Sequence, residues 1–459
     1  MLDSTAKLCP PVPMPRAEPL GSIALLRVLL SNPLEAWTQA HFEEPIVTSG
    51  LSIGRVAVVS DPAGIRRVLL DNCSNYKKDW LQQRVLSAGL LDGLLAAENA
   101  QWRVQRRALA PMFTPRSVAR FAASMVDAAE ALGDRLRARE GEVVDIAVEV
   151  TRVTLDVLER TIFSDGFGRN AEDIRNGMKI YFEAAGRIDP FDMLGVPDAV
   201  PRLTRWSMRP AMRLFSGAID TIIASRRLRI ANAPDEAPHD LLTLLLTAKD
   251  PESGQALREE EIRANVLTFI AAGHETTANC MTWVLYLLSQ SPEWRERLQA
   301  EADRELAGGI DGLADRLVET RAVIDETNRL YPPIAAISRT TLEADELAGQ
   351  RIKRGTMIVV APYVLHRHRT LWSRPNEFDP TRFLGSARTE IDRFAYLPFG
   401  AGPRVCIGAG FALQEACIVL ATLMKHFTFT VRPGHVVWPV QKFTLRPKGG
   451  LPMIVRRRG

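Results

Sequence analysis

The chain has 459 residues, of which 46% are hydrophobic and 24% charged, proportions that are typical of a globular protein with a substantial core. With 58 basic and 54 acidic residues the formal net charge is +4, which is too small to indicate a nucleic-acid partner. The five cysteines are odd in number and widely spaced, so the sequence predicts neither a disulfide framework nor a zinc site, and it favours a reducing cytoplasm.

The N-terminal segment, residues 1–20, is rich in proline and lacks the basic-then-apolar order of a secretion signal. We therefore expect it to be flexible, extended chain. The apolar run that follows, residues 23–30, is short and carries Arg27. It is too short to cross a bilayer, so the sequence predicts no transmembrane segment.

Strand and helix signals follow in the N-terminal half and the middle of the chain. Ile46-Val47 and residues 56–59 are apolar and separated by glycines, a pattern that predicts a hairpin. Asp61-Pro62 predicts the start of a helix, with the aspartate as its cap. Residues 100–229 have mostly helical periodicity. Residues 259–289 predict one helix about 45 Å long, which is enough to cross the core.

The C-terminal third continues this mixture. A helix is predicted to begin at Pro292, and a strand is predicted at residues 357–360. A further helix follows Cys406 and ends near Lys425, and residues 436–456 predict small sheets. Helices dominate, so the predicted fold class is mainly α with small β regions.

Cys406 stands in the most informative run of the chain, residues 399–408, FGAGPRVCIG. Glycines let the backbone approach a large sulfur atom, and the helix that follows directs its positive end at the sulfur, which favours the thiolate. Phe399 can shield the sulfur from water, and Arg404 can pair with a haem propionate. These features suit a thiolate ligand to haem iron. The alternative is that a lone cysteine is simply a small buried hydrophobe.

A second run, residues 272–277, AGHETT, places polar residues inside an otherwise apolar helix. Gly273 costs roughly 1 kcal/mol relative to alanine there, and a buried Glu275 costs more unless it has a partner. Cleavage of bound O2 needs protons, and the Thr276 hydroxyl backed by Glu275 is suited to relay them. The alternative is that Thr276 bonds back to the Ala272 carbonyl and Glu275 faces solvent.

Two further pairs lie at helical spacing. Glu326 and Arg329 share one helix face, and the simplest interpretation of this pair is an exposed ion pair. Trp102 and Arg106 also share a face, and the basic residues beside them are by default a solvated surface. Neither pair defines a chemistry by itself.

Together these runs resemble the motifs of the cytochrome P450 family. The run around Cys406 matches every fixed position of the family's haem-binding pattern, Phe-x-x-Gly-x-Arg-x-Cys-x-Gly. Residues 272–276 match its oxygen-activating helix pattern, Ala/Gly-Gly-x-Asp/Glu-Thr, and residues 326–329 match its Glu-x-x-Arg motif. The resemblance extends from the first hairpin to the tail at residues 449–452.

The resemblance implies one large, mainly helical domain over residues 21–459, with haem b (heme b) bound through the Cys406 thiolate as the axial ligand of the iron. The residues implied to contact the cofactor are Phe399, Arg404, Gly408, Trp102, Arg106, Arg339 and Ala272. The implied structural triad is Glu326, Arg329 and Arg382. Arg103 and Arg107 are then expected on the cysteine-side surface, where an acidic electron donor would dock.

The resemblance implies a monooxygenase that inserts one oxygen atom from O2 into its substrate, with Thr276 and Glu275 as the catalytic residues. Because the chain ends soon after the helix that follows Cys406, we expect electrons from a separate ferredoxin or flavodoxin. Two alternatives stay open. A peroxygenase uses peroxide without an electron donor and does not need the acid and alcohol pair. A haem sensor or carrier is not an enzyme, and nothing in the chain resembles an output domain.

The resemblance also places a substrate pocket on small and apolar residues, namely Thr268, Ala271, Ala272, Ile334, Ala335 and Ala336. These side chains predict a hydrophobic substrate, and a fatty acid, a terpenoid, a steroid or an aromatic compound would each fit. Residues 85–95 are expected to form a flap over the pocket. The apolar residues 193–197 either border its entrance or form an ordinary buried loop.

Overall fold

Helices make up most of the computed structural model, which describes residues 7–51, 54–80, 82–83, 92–164 and 203–458. Its α-helices in chain order are α1 (Ser22–Ser31), α2 (Pro62–Arg66), α3 (Asn99–Leu109), α4 (Pro115–Ala119), α5 (Ala122–Arg137), α6 (Ile146–Ile162), α7 (Leu203–Asn232), α8 (Leu241–Thr247), α9 (Glu259–Gln290), α10 (Pro292–Leu306), α11 (Leu313–Arg316), α12 (Val318–Leu330), α13 (Pro362–Leu365), α14 (Ala387–Glu390) and α15 (Ala409–His426). The predicted fold class is confirmed.

The strands are short. In chain order they are β1 (Ile46–Leu51), β2 (Gly54–Val59), β3 (Tyr76–Lys77), β4 (Val143–Asp145), β5 (Ile337–Thr341), β6 (Asp345–Leu347), β7 (Gln350–Ile352), β8 (Met357–Val360), β9 (Phe427–Val431), β10 (Pro439–Gln441), β11 (Leu445–Pro447) and β12 (Pro452–Arg457). Within the described residues they form a five-stranded sheet, β1-β2-β8-β5-β3, a three-stranded sheet, β4-β12-β9, and the pairs β6-β7 and β10-β11. β1 and β2 are the predicted hairpin, with Ile46 opposite Val59.

The helix α9 is the central element of the fold, and it forms where the sequence predicts a helix long enough to cross the core. Glu259, Glu260 and Glu261 stand in its first turn, where the helix dipole favours negative charge. Most side chains between Ile262 and Leu288 are buried, and α9 packs against α6, α12 and α15. A helix that is apolar on most sides is stable only inside a core.

Local signals also set the ends of other helices. The Asp61 carboxylate accepts the Gly64 N–H at 2.7 Å, which confirms the predicted cap of α2. The helix α10 begins at Pro292 as predicted. The helix α15 begins at Ala409, with Gly408 as its N-cap, so the cysteine lies just outside the helix rather than in its first turn.

The described part of the N-terminal segment, residues 7–20, lies against the domain. The Leu8 carbonyl accepts the Phe378 N–H at 2.8 Å, and the Pro11 carbonyl accepts the Tyr331 hydroxyl at 2.7 Å. These bonds hold the proline-rich chain in place, although its composition suggests flexible chain. The domain boundary at residue 20 stays a prediction.

Some expectations concern residues outside the described ranges. Residues 85–91 of the predicted flap and the predicted entrance segment, residues 193–197, are among them. Residues 92–95 are described, and the Leu94 N–H donates to the Asn265 carboxamide oxygen at 2.9 Å, which ties this part of the flap to α9. In the described part of the chain no helix combines the length and the apolar character that a membrane span requires.

Glu326 and Arg329 form a fully buried ion pair. Arg329 Nε and Nη2 donate to the two carboxylate oxygens at 2.7 and 2.8 Å, and Arg329 Nη1 donates to the carbonyls of His366 and Pro375. Arg382 Nε lies 3.7 Å from Glu326 Oε1. The simplest interpretation, an exposed pair, is therefore wrong, and the three side chains of the expected triad meet in the interior, where they join α12 to the segment after α13.

We expect Glu326→Gln to lower the free energy of unfolding by about 3–5 kcal/mol, because the buried Arg329 charge loses its counter-ion. Urea denaturation followed by far-ultraviolet circular dichroism measures this loss. Glu343→Gln is the matched control, since Glu343 and its partner Arg354 are 74% and 76% exposed and such pairs add little stability. Equal losses in both variants would contradict the structural role of the buried pair.

Candidate functional site

A cavity of about 530 Å³ lies between α9 and the loop that carries Cys406. Its wall also includes parts of α3, the segment between α12 and β5, and the start of α15. Cys406 lines this cavity and is exposed toward it. The residues that α9 contributes include Ala272, Glu275 and Thr276. Motifs more than a hundred residues apart in the chain therefore meet at one cavity.

The loop before α15 is closed by a hydrogen bond of 2.9 Å from the Cys406 N–H to the Phe399 carbonyl. Gly402 has φ of +70°, and a Cβ atom there would lie 1.8 Å from the Leu69 carbonyl oxygen, so only glycine fits. The N–H of Gly408, two residues after the cysteine, is directed at the sulfur. The loop thus holds the thiol at the cavity wall through backbone contacts.

Although Cys406 is exposed toward the cavity, it lies deep within the protein, and this burial raises the pKa of its thiol. The Gly408 N–H and the Arg106 guanidinium act in the opposite direction. The helix start therefore favours the thiolate as predicted, but burial outweighs it in the protein alone. A metal ion that coordinates a thiol deprotonates it outright, so an iron bound here would hold the sulfur as the thiolate.

The four residues expected at the haem propionates lie on the cavity wall, and these are Trp102, Arg106, Arg339 and Arg404. The Arg404 guanidinium carbon lies 4.4 Å from the Trp102 ring centroid. Burial lowers the pKa of Arg339, and the positive charge of Arg404 lowers it further. An anion would relieve this repulsion, and carboxylates pair well with guanidinium groups.

Two charged residues beside these cations were not predicted from the sequence. Lys78 lines the cavity, donates to the carbonyls of Leu95 and Ala97 at 2.6 and 3.1 Å, and lies 3.1 Å from Glu98. Burial lowers the pKa of Lys78 to about 8. Glu98 also lies 3.2 Å from Arg404. Lys78 stands between Lys77 and Asp79, a charged run that is typical of an exposed turn. Its burial therefore results from tertiary packing, which the local sequence does not predict.

Glu275 and Thr276 of α9 both line the cavity, but they are not hydrogen-bonded to each other. Thr276 Oγ1 donates to the Ala272 carbonyl at 2.8 Å, as in the back-bonded alternative. Glu275 Oε1 accepts a hydrogen bond of 2.5 Å from Thr444 Oγ1, so its carboxylate is not simply solvated. Thr444 stands immediately before β11 and carries no recognisable motif.

Five of the six residues predicted for the substrate pocket line the cavity, namely Thr268, Ala271, Ala272, Ile334 and Ala336. The prediction fails for Ala335, which is buried in the core and whose carbonyl accepts the Tyr363 N–H at 3.2 Å. This backbone bond to α13 holds Ala335 against the core and away from the cavity. Large apolar residues that the sequence analysis did not assign to the pocket also line it, namely Phe113, Leu158, Leu241, Phe269 and Phe443. Leu94, in the predicted flap, lines it as well.

One of the two arginines expected to dock an electron donor, Arg107, is already paired within the protein. Arg107 Nε and Nη2 each donate to a carboxylate oxygen of Asp250 at 2.7 Å, and Arg107 Nη1 lies 2.8 Å from Glu252. This pairing holds the pKa of Asp250 well below its usual range. Arg107 therefore fastens α3 to a neighbouring loop, while Arg103 remains exposed.

Comparison with known proteins agrees with this geometry. The family model described as Cytochrome P450 matches residues 11–453. Cyclooctatin synthase from Streptomyces melanosporofaciens is 32% identical over 450 residues, which cover 97% of this chain and 95% of that protein. Cyclooctat-9-en-7-ol 5-monooxygenase from the same organism is 32% identical over 445 residues, which cover 95% and 94%. A crystal structure of a cytochrome P450 is 26% identical with a TM-score of 0.83, and the match covers 98% of this chain and 100% of that one.

The chain therefore belongs to the cytochrome P450 family. It is a haem-thiolate monooxygenase with the mainly helical fold and small sheets of that family. The residues present fit the cofactor, since one wall of the cavity holds a thiol and a cluster of cations. A haem has an iron that the thiol can bind and two propionate carboxylates that the cations can pair with.

We expect Lys78→Met to weaken haem retention by about 10-fold, because it removes one positive charge from the cluster of cations on the cavity wall that would attract the propionates. The rate of haem transfer to excess apomyoglobin measures this change. Lys77→Met is the matched control, since Lys77 is the exposed neighbour and its loss should leave the transfer rate unchanged. A wild-type transfer rate in Lys78→Met would place this lysine outside the propionate site.

Proposed function

We propose that this enzyme hydroxylates a hydrophobic organic substrate with one oxygen atom from O2 and receives its electrons from a separate donor protein. The balanced reaction is RH + O2 + 2 e⁻ + 2 H⁺ → ROH + H2O. The observation that carries the proposal is the shared cavity, whose wall combines the Cys406 thiol, the cations and the mostly apolar surface of α9.

The haem would be held by the Cys406 thiolate, with Phe399 and Gly408 beside the sulfur, and its propionates would be held by the cluster of cations. When bound, it supplies the binding and reductive cleavage of O2. Ala272, on the wall formed by α9, has a side chain small enough to leave room beside the cofactor. The apolar part of the wall positions the substrate and keeps water away from it.

Glu275 and Thr276 form the proposed proton relay, because both line the cavity and the reaction consumes two protons. To serve in the relay, the Thr276 side chain has to rotate so that its hydroxyl leaves the Ala272 carbonyl and points into the cavity. Threonine in a helix divides between two side-chain rotamers because this back-bond is optional, so one rotation suffices. The alternative functions, peroxygenase and haem sensor or carrier, do not need this pair.

The substrate is proposed to be hydrophobic because phenylalanine and leucine side chains make up much of the cavity wall. A fatty acid, a terpenoid, a steroid or an aromatic compound fits such a wall. One relative supports this choice, because its name, cyclooctat-9-en-7-ol 5-monooxygenase, describes an enzyme that oxidises an organic alcohol.

The electron donor is proposed to dock behind the cysteine loop rather than at Arg107. A second cavity, of about 190 Å³, shares residues 398–401 and Val405 of the loop with the first. Its charged residues are Arg321, Arg388, Arg393 and Asp325. Three guanidinium groups against one carboxylate leave an excess of positive charge beside the loop. This charge favours an acidic ferredoxin or flavodoxin.

The test of this function reconstitutes the enzyme with a [2Fe–2S] ferredoxin, its reductase and NADPH. Substrates come from a hydrophobic library, selected by the shift of haem absorption that follows loss of the iron-bound water. Incorporation of one atom of ¹⁸O from ¹⁸O2 is the expected result. Equal turnover with hydrogen peroxide alone would favour the peroxygenase, and no oxidation with either system would favour the sensor or carrier.

We expect Arg393→Glu to lower ferredoxin-dependent turnover by about 10-fold, because the reversed charge repels an acidic donor. Turnover driven by hydrogen peroxide should stay unchanged, since it needs no donor. Arg351→Glu, an exposed position on β7 outside both cavities, is the control. The docking proposal fails if both variants keep the wild-type ferredoxin-dependent rate.

A further inference from the structure

A line of three buried or half-buried side chains joins the hairpin β10-β11 to α9. Asn279 Nδ2 donates to Thr444 Oγ1 at 2.9 Å, and Thr444 Oγ1 donates to Glu275 Oε1 at 2.5 Å. Thr444 is completely buried and Asn279 is 8% exposed. The Asn279 NH2 group can only donate to the hydroxyl and the carboxylate oxygen accepts from it, so the hydroxyl proton is directed at the carboxylate.

The backbone around Thr444 is fixed independently of its hydroxyl. The Leu445 N–H donates to the Pro333 carbonyl at 2.9 Å, and Trp283 Nε1 donates to the Leu445 carbonyl at 3.3 Å. The hairpin is therefore fastened to both α9 and the segment after α12. Replacement of the hydroxyl alone leaves these contacts in place.

The same hairpin also reaches the substrate side of the cavity. Phe443, next to Thr444, lines the cavity and is 37% exposed. One residue of the turn therefore touches the space that a substrate fills, and the next holds the carboxylate of the proposed acid.

We propose that Thr444, oriented by Asn279, is a positioning residue for Glu275. The proposal rests on the proposed function, in which Glu275 supplies protons. A hydrogen bond to a carboxylate is among the stronger ones in proteins, so the Thr444 hydroxyl sets where that carboxylate lies. When protons arrive at the wrong place or time, the two electrons leave as peroxide, O2 + 2 e⁻ + 2 H⁺ → H2O2, and no product forms.

The test compares Thr444→Val, which keeps the shape and removes the hydroxyl, with Thr444→Ser, which keeps the hydroxyl. In the reconstituted ferredoxin system we expect the ratio of product to hydrogen peroxide to fall about 10-fold in Thr444→Val and to stay near the wild-type ratio in Thr444→Ser. The pH profile of coupled turnover should shift in the valine variant alone. Haem content and peroxide-driven turnover should be unchanged in both variants.

A second variant separates positioning from a merely structural effect. In a Glu275→Gln background, Thr444→Val should cause no further loss of coupling, because the group that it positions is already absent. If Thr444→Val retains no haem, Asn279→Ala carries the same test, since it removes the donor that orients the hydroxyl.

Wild-type coupling in Thr444→Val, equal losses in the valine and serine variants, or a full additional loss in the Glu275→Gln background would each overturn the proposal. Failure of the proposed function has a different signature, because the wild-type enzyme itself would then form no product from O2 and reductant.

Discussion

The backbone hydrogen bond from Cys406 to the Phe399 carbonyl closes the loop on which the rest of the site depends. It fixes where the sulfur stands, and the close approach of Gly402 to the Leu69 carbonyl fixes where the loop stands. The first constraint is local and the second is tertiary. Together they place the Cys406 thiol on the wall of a large cavity that α9 also lines. The position of this one loop therefore determines which reactive group the surrounding helices face.

Charge is distributed unevenly around this loop. On the cavity side, Lys78, Arg106, Arg339 and Arg404 converge where a cofactor with two carboxylates fits. Behind the loop, a smaller cavity carries three more arginines. Both clusters include groups that are partly buried, and like charges at such positions repel one another. Bound anions would offset that repulsion. In the first cluster these would be the haem propionates, and in the second they would be acidic side chains of an electron donor.

Motifs and periodicity predict the elements well where the signal is local. The long apolar helix, the Asp61 cap and the cysteine loop depend on residues close together in the sequence. The features that the sequence did not predict depend on distant contacts. Thr444 is 169 residues from the carboxylate that it binds, Lys78 is buried by residues 95–97, and Ala335 is held in the core by a bond from the Tyr363 N–H. No local pattern distinguishes these residues from ordinary surface or core positions.

The measurement that tests the central claim most directly is the absorption spectrum of the reduced carbon-monoxide complex, recorded for the wild type, Cys406→Ser and Cys73→Ser. The account predicts the long-wavelength band of a thiolate-ligated haem in the wild type and in Cys73→Ser, and its loss in Cys406→Ser. A wild-type spectrum like that of a histidine-ligated globin, or a thiolate band that survives in Cys406→Ser, would contradict it.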